Sequence, residues 1–338
     1  MQTAPNKIEH EYTLRNYETD FSQRLKPSAA LGFFQETAGE HATRMGLGFD
    51  ELRQQGYYWV LSKIFVRVDR RPAFRDAVRV ETWPHTPNKA IYERSFRMSD
   101  SLSGEVLLRA YSRWCILQAP SGRIVPCARL VQNIPQFIEE RSVSFDEWQI
   151  PALEQKTTPA YSVRVANSDY DLNYHLNNIK YADYIFDVFS VRELEERTLR
   201  SFQIHYVKQS HEGDVLDFYR GQMPDGSFVV EGVKNGGELV VAVSLLFAGA
   251  FVIHFADQRV VAGAEAHQPF ALGLEINGLG APRCAQEQAG GQQDHHALFL
   301  EPSQCFLFHA SLLRAYGLCR PPSGASLGCP EPAALLRL

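Results

Sequence analysis

The sequence has few cysteines and no closely spaced cysteine pair. Six cysteines occur among 338 residues, and none shows the C-x-x-C spacing that zinc ribbons and redox dithiols require. His295 and His296 fit no familiar ligand spacing with Cys284 and Cys305 either. We therefore expect reduced thiols, no metal and no cofactor.

An excess of positive charge and a long apolar run are also missing. The net charge is -5, whereas nucleic-acid-binding domains are usually basic. The longest apolar stretch, Leu239–Ile253, falls short of the roughly 20 residues that cross a bilayer and favours a buried strand. Residues 1–12 resemble neither a signal peptide nor a transit presequence. We therefore expect no nucleic-acid partner, no membrane association and a cytoplasmic location.

The most informative stretch that is present begins at Asp171 and reads D-L-N-Y-H-L-N-N-I-K-Y. Asp171, Asn173 and His175 stand at every second position, and side chains two apart point the same way on a strand. The pattern predicts an extended segment with three proton-handling groups on one face. Leu172 and Tyr174 would then face the other way.

A helix is predicted directly after these polar residues. Asn177 or Asn178 is suited to cap an amphipathic segment that covers residues 179–189. The N-terminus of a helix is electropositive, so it can stabilise a developing oxyanion. Acid-base groups next to such a helix end indicate a hydrolytic site.

Each of these residues has a structural alternative when it is taken alone. Asp171 could form an Asx-turn. His175 could be a structural histidine with its hydrogen bonds made inside the protein, and Asn173 or Asn177 could cap a helix. Their joint spacing favours chemistry over these separate readings.

The chain contains a similar unit twice. Tyr12–Arg15 recurs as Tyr161–Arg164, and each copy is followed by a helical segment, at residues 28–45 and 178–196, and then by alternating strands. One helix covering several antiparallel strands is an α+β unit, and two units would join their sheets edge to edge. In this register the polar set of the second copy falls on Ser22, Arg24 and Lys26.

The end of the chain has a different composition. Residues 253–338 contain no lysine and hold four of the six cysteines. Patches rich in Gly, Pro and Gln replace hydrophobic periodicity, which predicts an atypical tail of low order. We therefore divide the chain into residues 1–140, 155–252 and 253–338.

The stretch that begins at Asp171 resembles the motif D-x-N-x-H-x-N-N-x-x-Y of the acyl-acyl carrier protein thioesterase family. Phe33–Ala42, Trp59–Leu61 and Arg113-Trp114 are further points of resemblance. The family is built as a double hot-dog, with two tandem units of a long helix wrapped by an antiparallel sheet. The resemblance implies a non-catalytic acyl-chain pocket in residues 1–140 and a catalytic unit in residues 155–252.

The resemblance also implies residue roles. Asp171, Asn173 and His175 fall on catalytic positions, as do Gln209 and Ser210, where the family usually has a glutamate and its plant members a cysteine. Gln209 cannot act as a base, and a serine is a poorer nucleophile than a thiol. Either Asp171 or His175 could be the base, and the sequence leaves that choice open.

The implied reaction is hydrolysis of the thioester of fatty acyl-acyl carrier protein, which releases a free fatty acid and ends elongation. The alternatives are an acyl-CoA thioesterase, a non-catalytic acyl-binding protein, and a hydratase. Hot-dog hydratases carry D-x-N-P-x-H, whereas this chain places His175 four residues after Asp171 without an intervening proline. A homodimer is compatible with the sequence.

Two residue clusters suggest how such a substrate would be held. The apolar cluster Phe33, Phe34, Leu61, Ile64 and Phe65 lines an acyl tunnel or belongs to the core. The basic cluster Arg67, Arg70, Arg71 and Arg75 forms a docking patch for the acidic carrier protein or a solvated face.

Overall fold

The computed structural model describes residues 4–130, 136–255 and 258–263. The predicted tail begins within the last strands of this range, and its residues 264–338 lie outside the described residues. Within the described range no helix is long and apolar enough to cross a membrane.

The first half contains most of the long elements. Its helices are α1 (Pro27–Arg44) and α2 (Phe49–Gln54). Its strands are β1 (Ile8–Thr13), β2 (Tyr57–Val68), β3 (Ala77–Pro84), β4 (Tyr92–Asp100), β5 (Val106–Gln118) and the short β6 (Arg123–Ile124).

The second half repeats this order with shorter helices. The helices are α3 (Asn178–Phe186) and α4 (Val191–Glu195). The strands are β7 (Tyr161–Arg164), β8 (Arg197–Tyr206), β9 (Val215–Gln222), β10 (Phe228–Lys234), β11 (Glu238–Phe255) and β12 (Gln258–Gly263). The predicted single helix over 178–196 is wrong in one respect, because Ser190 caps a separate helix by accepting a hydrogen bond from the Glu193 N–H.

The strands form one antiparallel sheet that joins the two halves. Its order is β1-β3-β4-β5-β2-β8-β11-β10-β9-β7, with β6 beside β5 and β12 beside β11. The halves meet where β2 pairs with β8, between Lys63–Arg67 and Ser201–His205. The predicted α+β architecture, with two sheets joined edge to edge, is confirmed.

Strand periodicity assigns the two faces of the sheet. On β2, Ile64 is buried in the main core together with Phe34 of α1. Its neighbour Phe65 points to the opposite face, where it stacks on Phe145 of the segment between the halves at 3.8 Å. Helices therefore cover one face, and the connecting segment covers part of the other.

Candidate active site

The segment that carries the predicted polar set is a tight turn. The Asp171 N–H donates to the His175 carbonyl at 2.9 Å, the Tyr174 N–H donates to the Asp171 carbonyl at 3.2 Å, and Tyr174 has a φ of 61°. The predicted extended strand is therefore wrong. The Asp171 side chain stabilises the turn instead. Its Oδ1 accepts the N–H groups of Asn173 at 2.8 Å and His175 at 3.4 Å, which is an Asx-turn.

The turn still separates apolar from polar side chains. Leu172 and Tyr174 are each 74% exposed. Asp171 and Asn173 instead line a cavity of about 180 Å³. The turn thus places an acid and an amide at a cavity that is open to solvent on one side, although its backbone is not the strand that the periodicity predicted.

Aromatic side chains of the first half form the wall of this cavity. Tyr58 and Trp59 of β2, Tyr92 of β4 and Trp114 of β5 all line it. The Trp59 ring meets Tyr92 edge-on at 4.8 Å and Trp114 at 6.3 Å. The indole N–H of Trp59 donates to the Leu47 carbonyl at 2.8 Å, so the wall is held in place by polar contacts behind it.

A buried cation also lines the cavity. The Arg94 guanidinium donates to His41 Nδ1 at 3.1 Å and to Thr82 Oγ1 at 3.2 Å, and burial lowers the pKa of Arg94 to about 9. His41 Nε2 donates to the Pro5 carbonyl at 2.7 Å. Burial and the neighbouring Arg94 lower the pKa of His41 to about 4, so His41 is a neutral acceptor at pH 7.

His175 lies beside the cavity. Its ring centroid is 6.0 Å from Tyr58, which lines the cavity, and 5.2 Å from His211. Burial lowers the pKa of His175, and the carboxylate of Asp171 partly offsets this effect. The imidazole is therefore neutral at pH 7 and can accept or donate a proton.

The helix start next to the turn is built as predicted. Asn177 is the N-cap of α3, and its side-chain oxygen accepts the Ile179 N–H at 2.9 Å. Asn178, the first residue of the helix, lines the same cavity as Asp171. The electropositive end of α3 thus opens on the space that holds the acid.

Gln209 and Ser210 are the remaining residues predicted for the site. Ser210 is fully buried, and its hydroxyl shares a hydrogen bond of 2.7 Å with the Tyr181 hydroxyl. Its carbonyl accepts the Leu176 N–H at 3.1 Å, and the Gln209 carbonyl accepts from Lys234 at 3.1 Å. Neither residue lines the cavity, so both support the turn from behind.

The apolar cluster suggested as an acyl tunnel is packed core. Phe34, Leu61 and Ile64 surround a void of only about 10 Å³. Phe33 stacks on Tyr12 at 4.5 Å. Of the two interpretations given for this cluster, the structure therefore supports the core. The open space lies one helix turn further along α1, against the aromatic wall.

Carboxylates neutralise most of the suggested basic docking patch. Arg67 pairs with Asp69, Arg70 with Glu105 and Arg71 with Asp20. The Arg75 guanidinium lies over the Phe74 ring at 4.9 Å. These contacts remove most of the charge on which the docking interpretation depended.

The same turn occurs in the first half, at Asp20. The Asp20 N–H donates to the Arg24 carbonyl at 2.9 Å, and the Gln23 N–H donates to the Asp20 carbonyl at 2.9 Å. Asp20 Oδ1 accepts the N–H groups of Ser22 and Arg24, and Gln23 has a φ of 58°. Asp20 therefore corresponds to Asp171, and the repeat register predicted from Tyr12 and Tyr161 is wrong by two residues.

The support behind the two turns corresponds as well. The Leu25 N–H donates to the Pro72 carbonyl at 2.9 Å, as the Leu176 N–H donates to Ser210. Pro72 therefore matches Ser210, and the preceding Arg71 matches Gln209. In the first half Arg71 binds the Asp20 carboxylate, whereas among the described residues no cation lies within ion-pair distance of Asp171.

Sequence reasoning missed the aromatic wall, Arg94 and His211. The run Tyr57-Tyr58-Trp59 on one strand and the adjacency of His211 to Ser210 were available as signals. No sequence signal identified Arg94, because a single arginine within a strand of alternating pattern is typical of a surface residue, and only the fold buries it.

Two family models match the chain. The acyl-ACP thioesterase N-terminal domain matches residues 5–132, and the acyl-ACP thioesterase C-terminal domain matches residues 150–237. Together they cover more than half of the 338 residues.

Curated relatives agree with the family models. The chain is 29% identical over 248 residues to a chloroplastic palmitoyl-acyl carrier protein thioesterase of Cuphea hookeriana, a match that covers 68% of this chain and 59% of that protein. It is 28% identical over 216 residues to a chloroplastic dodecanoyl-[acyl-carrier-protein] hydrolase of Cinnamomum camphora, covering 61% of this chain and 56% of that protein. The chain thus spans a little over half the length of these relatives.

Solved structures share the fold. The 12:0-ACP thioesterase of Umbellularia californica superposes with a TM-score of 0.66 at 23% identity, covering 74% of this chain and 100% of that chain. An acyl-ACP thioesterase of Bacteroides thetaiotaomicron gives a TM-score of 0.62 at 24% identity, covering 72% and 98%. The fold is therefore the double hot-dog, and, with the family models matched along both halves, this chain belongs to the acyl-ACP thioesterase family.

Proposed function

We propose that this chain hydrolyses the thioester of fatty acyl-acyl carrier protein, releasing a free fatty acid and ending its elongation. The observation that carries the proposal is the Asp171 carboxylate, which has no cationic partner among the described residues and opens on a cavity with an aromatic wall. Relatives named as palmitoyl- and dodecanoyl-acyl carrier protein hydrolases support the same reaction.

In the proposed reaction Asp171 is the base. One carboxylate oxygen of Asp171 accepts the N–H groups of the turn. The other oxygen takes a proton from a water molecule, and the oxygen of that water attacks the thioester carbonyl carbon. The C–S bond then breaks, and the protonated carboxyl returns its proton to the departing sulfur. A positioned general base of this kind typically contributes about 10²–10⁴-fold to the rate.

The oxyanion of the tetrahedral intermediate needs hydrogen-bond donors on the other side of the thioester from the base. The Asn173 side-chain amide and the N-terminus of α3 at Asn178 border the same cavity as the base. Loss of one such donor typically costs about 10²–10³-fold in rate. We assign this role to Asn173, supported by the helix dipole.

The roles of the other predicted residues follow from their contacts. Neutral His175, beside Tyr58, orients the attacking water from the edge of the cavity. Ser210 is unsuited to act as a nucleophile, because its hydroxyl is committed to Tyr181 in the core. Gln209 leaves Asp171 free of a cation, at the position where the first half has Arg71.

The two halves divide the work in this proposal. Residues 1–140 hold the acyl chain in the cavity with the aromatic wall, and residues 155–252 supply the catalytic turn. An acidic acyl carrier protein is the proposed substrate carrier. A cytoplasmic location and a homodimer stay predictions, and the plant relatives are named as chloroplastic.

Release of free thiol from purified full-length protein tests the proposal. Acyl-acyl carrier protein and acyl-CoA thioesters of the same chain lengths are compared, and we expect a higher kcat/KM for the carrier-protein thioesters. A preference for acyl-CoA would identify an acyl-CoA thioesterase instead. Hydration of an enoyl thioester without thiol release would indicate a hydratase, and binding without turnover would indicate an acyl-binding protein.

A further inference from the structure

His175 and His211 form a pair of imidazoles beside the Asp171 turn. Their ring centroids are 5.2 Å apart, and the His175 ring lies 6.0 Å from that of Tyr58, which lines the cavity. His211 is exposed, whereas His175 is partly buried. The two rings therefore connect the wall of the cavity with the solvent.

The backbone that carries His211 occurs in both halves. The His211 N–H donates to Asp214 Oδ2 at 2.9 Å, and the Asp214 N–H donates to the His211 carbonyl at 3.0 Å. In the first half the Ala73 N–H donates to Asp76 Oδ2 at 2.8 Å, and the Asp76 N–H donates to the Ala73 carbonyl at 3.0 Å. Ala73 therefore corresponds to His211.

The partner of His211 is also replaced in the first half. Arg24 occupies the position of His175, and it forms an isolated β-bridge with Ala73. The first half thus has an arginine opposite a methyl group where the second half has two imidazoles. Because alanine supports the same backbone contacts, the fold does not require the imidazole of His211.

Hydrogen bonds on both sides of His211 fix its place in the loop. The Ser210 carbonyl accepts the Leu176 N–H at 3.1 Å, and the Gly213 N–H donates to the Val165 carbonyl at 3.0 Å. The first bond ties the loop directly to the end of the Asp171 turn. The two imidazoles are therefore held at a set spacing by the backbone that carries them.

The charges around the pair disfavour two protonated rings at once. Burial lowers the pKa of His175, the Asp171 carboxylate opposes this effect, and a charged His211 lowers that pKa further. A proton on one ring therefore repels a proton on the other. Four further titratable side chains lie next to the pair or its loop: Tyr58, Tyr170, Glu212 and Asp214.

The proposed reaction releases one proton per turnover. Water adds to the thioester carbonyl, the C–S bond breaks, and the products are a thiol and a carboxylic acid. Carboxyl groups have pKa values of about 4, so the product acid is ionised at pH 7. Its O–H proton must therefore leave the cavity before the next turnover.

We propose that His211 relays this proton from His175 to the solvent. The O–H bond of the product acid breaks as an N–H bond forms on neutral His175 at the edge of the cavity. The resulting imidazolium passes a proton to His211, directly or through one water molecule, and His211 releases it to the solvent. His211 does not line the cavity and acts through His175, so it is a positioning residue. This role rests on the proposed function, which supplies the acid.

Thiol-release kinetics of full-length His211→Ala in weak buffer test the relay. Ala73 shows that alanine fits this backbone, so the variant should fold normally. We expect kcat to fall about tenfold, less than the 10²–10⁴-fold contribution of a direct acid–base group, with KM unchanged. Added imidazole should restore kcat in the variant and have no effect on the wild type. An unchanged kcat, or a loss that imidazole does not restore, would overturn the proposal.

The matched control is Ala73→His in the first half. It puts an imidazole on the same backbone, but opposite Arg24 and away from His175. We expect an unchanged kcat that does not respond to imidazole. An imidazole-sensitive loss in this variant as well would show that the effect does not depend on the histidine pair, and would also overturn the relay.

NMR titration of the His175 ring in the resting protein tests the coupling of the pair without turnover. His211→Ala removes the repulsion between the rings and should raise the pKa of His175. Equal pKa values in the variant and the wild type would overturn the relay. A wild-type protein that releases no thiol would instead refute the proposed function, and the titration would still decide whether the two rings are coupled.

Discussion

The Asp20 and Asp171 turns share one backbone and differ in what surrounds the carboxylate. Each aspartate accepts the N–H groups two and four residues later, and each turn has a residue with positive φ in the same place. Arg71 binds the Asp20 carboxylate, whereas Gln209 occupies the corresponding position in the Asp171 half. The aspartate is therefore a structural requirement of the turn, and chemistry depends on what its neighbours leave free.

The comparison also bears on what the aspartate by itself indicates. An aspartate confined to one half would itself have pointed to catalysis, but this aspartate is duplicated. The residues that distinguish the two halves are Asn173 and His175, which replace Ser22 and Arg24, and Gln209, which replaces Arg71. A site can thus be gained or lost by changing side chains around a turn that the fold already requires.

The largest expected effect is the loss of the free carboxylate. Asp171→Asn keeps the oxygen that accepts the turn N–H groups but removes the base, so kcat should fall about 10³-fold with an unchanged melting temperature. Thiol-release kinetics and thermal unfolding measure the two quantities.

The matched control is Asp20→Asn in the other turn. It breaks the ion pair with Arg71 and should leave kcat within about twofold, at a cost of up to about 1 kcal/mol in the free energy of unfolding. Equal losses of kcat from both variants would show that the aspartates act only through the fold.

A second substitution gives the Asp171 turn the cation that the Asp20 turn has. In Gln209→Arg the new guanidinium should bind Asp171 as Arg71 binds Asp20, which stabilises the charged carboxylate and makes it a weaker base, and kcat should fall about 10²-fold. Gln209→Met removes the amide without adding charge and should leave kcat within about threefold. A fully active Gln209→Arg would disprove the proposed importance of the missing cation.

The next effect concerns the stability of the halves in acid. Burial lowers the pKa of His41 in the first half and of His205 in the second to about 4. Between about pH 6.5 and pH 4 the unfolded state binds more protons, so the free energy of unfolding falls as pH falls.

The two histidines should contribute about equally to this slope, because the pKa of each is lowered to about 4. We expect His41→Gln and His205→Gln each to remove about 2 kcal/mol of the acid destabilisation, allowing about 1.4 kcal/mol per pKa unit and some relaxation. Urea unfolding at pH 7 and pH 4.5 measures the loss of stability in acid. An equal loss in wild type and in His41→Gln would contradict the role given to His41.

The smallest effect compares backbone strain in the two turns. Tyr174 and Gln23 have φ values of 61° and 58°, a region that favours glycine. Tyr174→Gly and Gln23→Gly should each raise the free energy of unfolding by about 0.5 kcal/mol, since relief of strain exceeds the added chain entropy. A gain in only one turn would show that their backbones are not equivalent in energy.

Much of the architecture could be predicted from local pattern. The alternation in residues 59–68 and 107–117 predicted β2 and β5, since a strand with one buried face shows a period of two. The conformation of the Asp171 turn could not be predicted in this way. Alternating polar residues also satisfy an Asx-turn, and only the hydrogen bonds at Asp171 Oδ1 distinguish the two.

The sequence by itself determined the duplicated helix-and-sheet units, the Asn177 cap and the grouping of Asp171, Asn173 and His175, because these depend on residues close together in the chain. Tertiary structure alone decided which aspartate is free, which side chains line the cavity, and that Arg94 is buried. Those properties depend on contacts such as Arg71 with Asp20, 51 residues apart, and burial and charge pairing arise only when distant segments pack together.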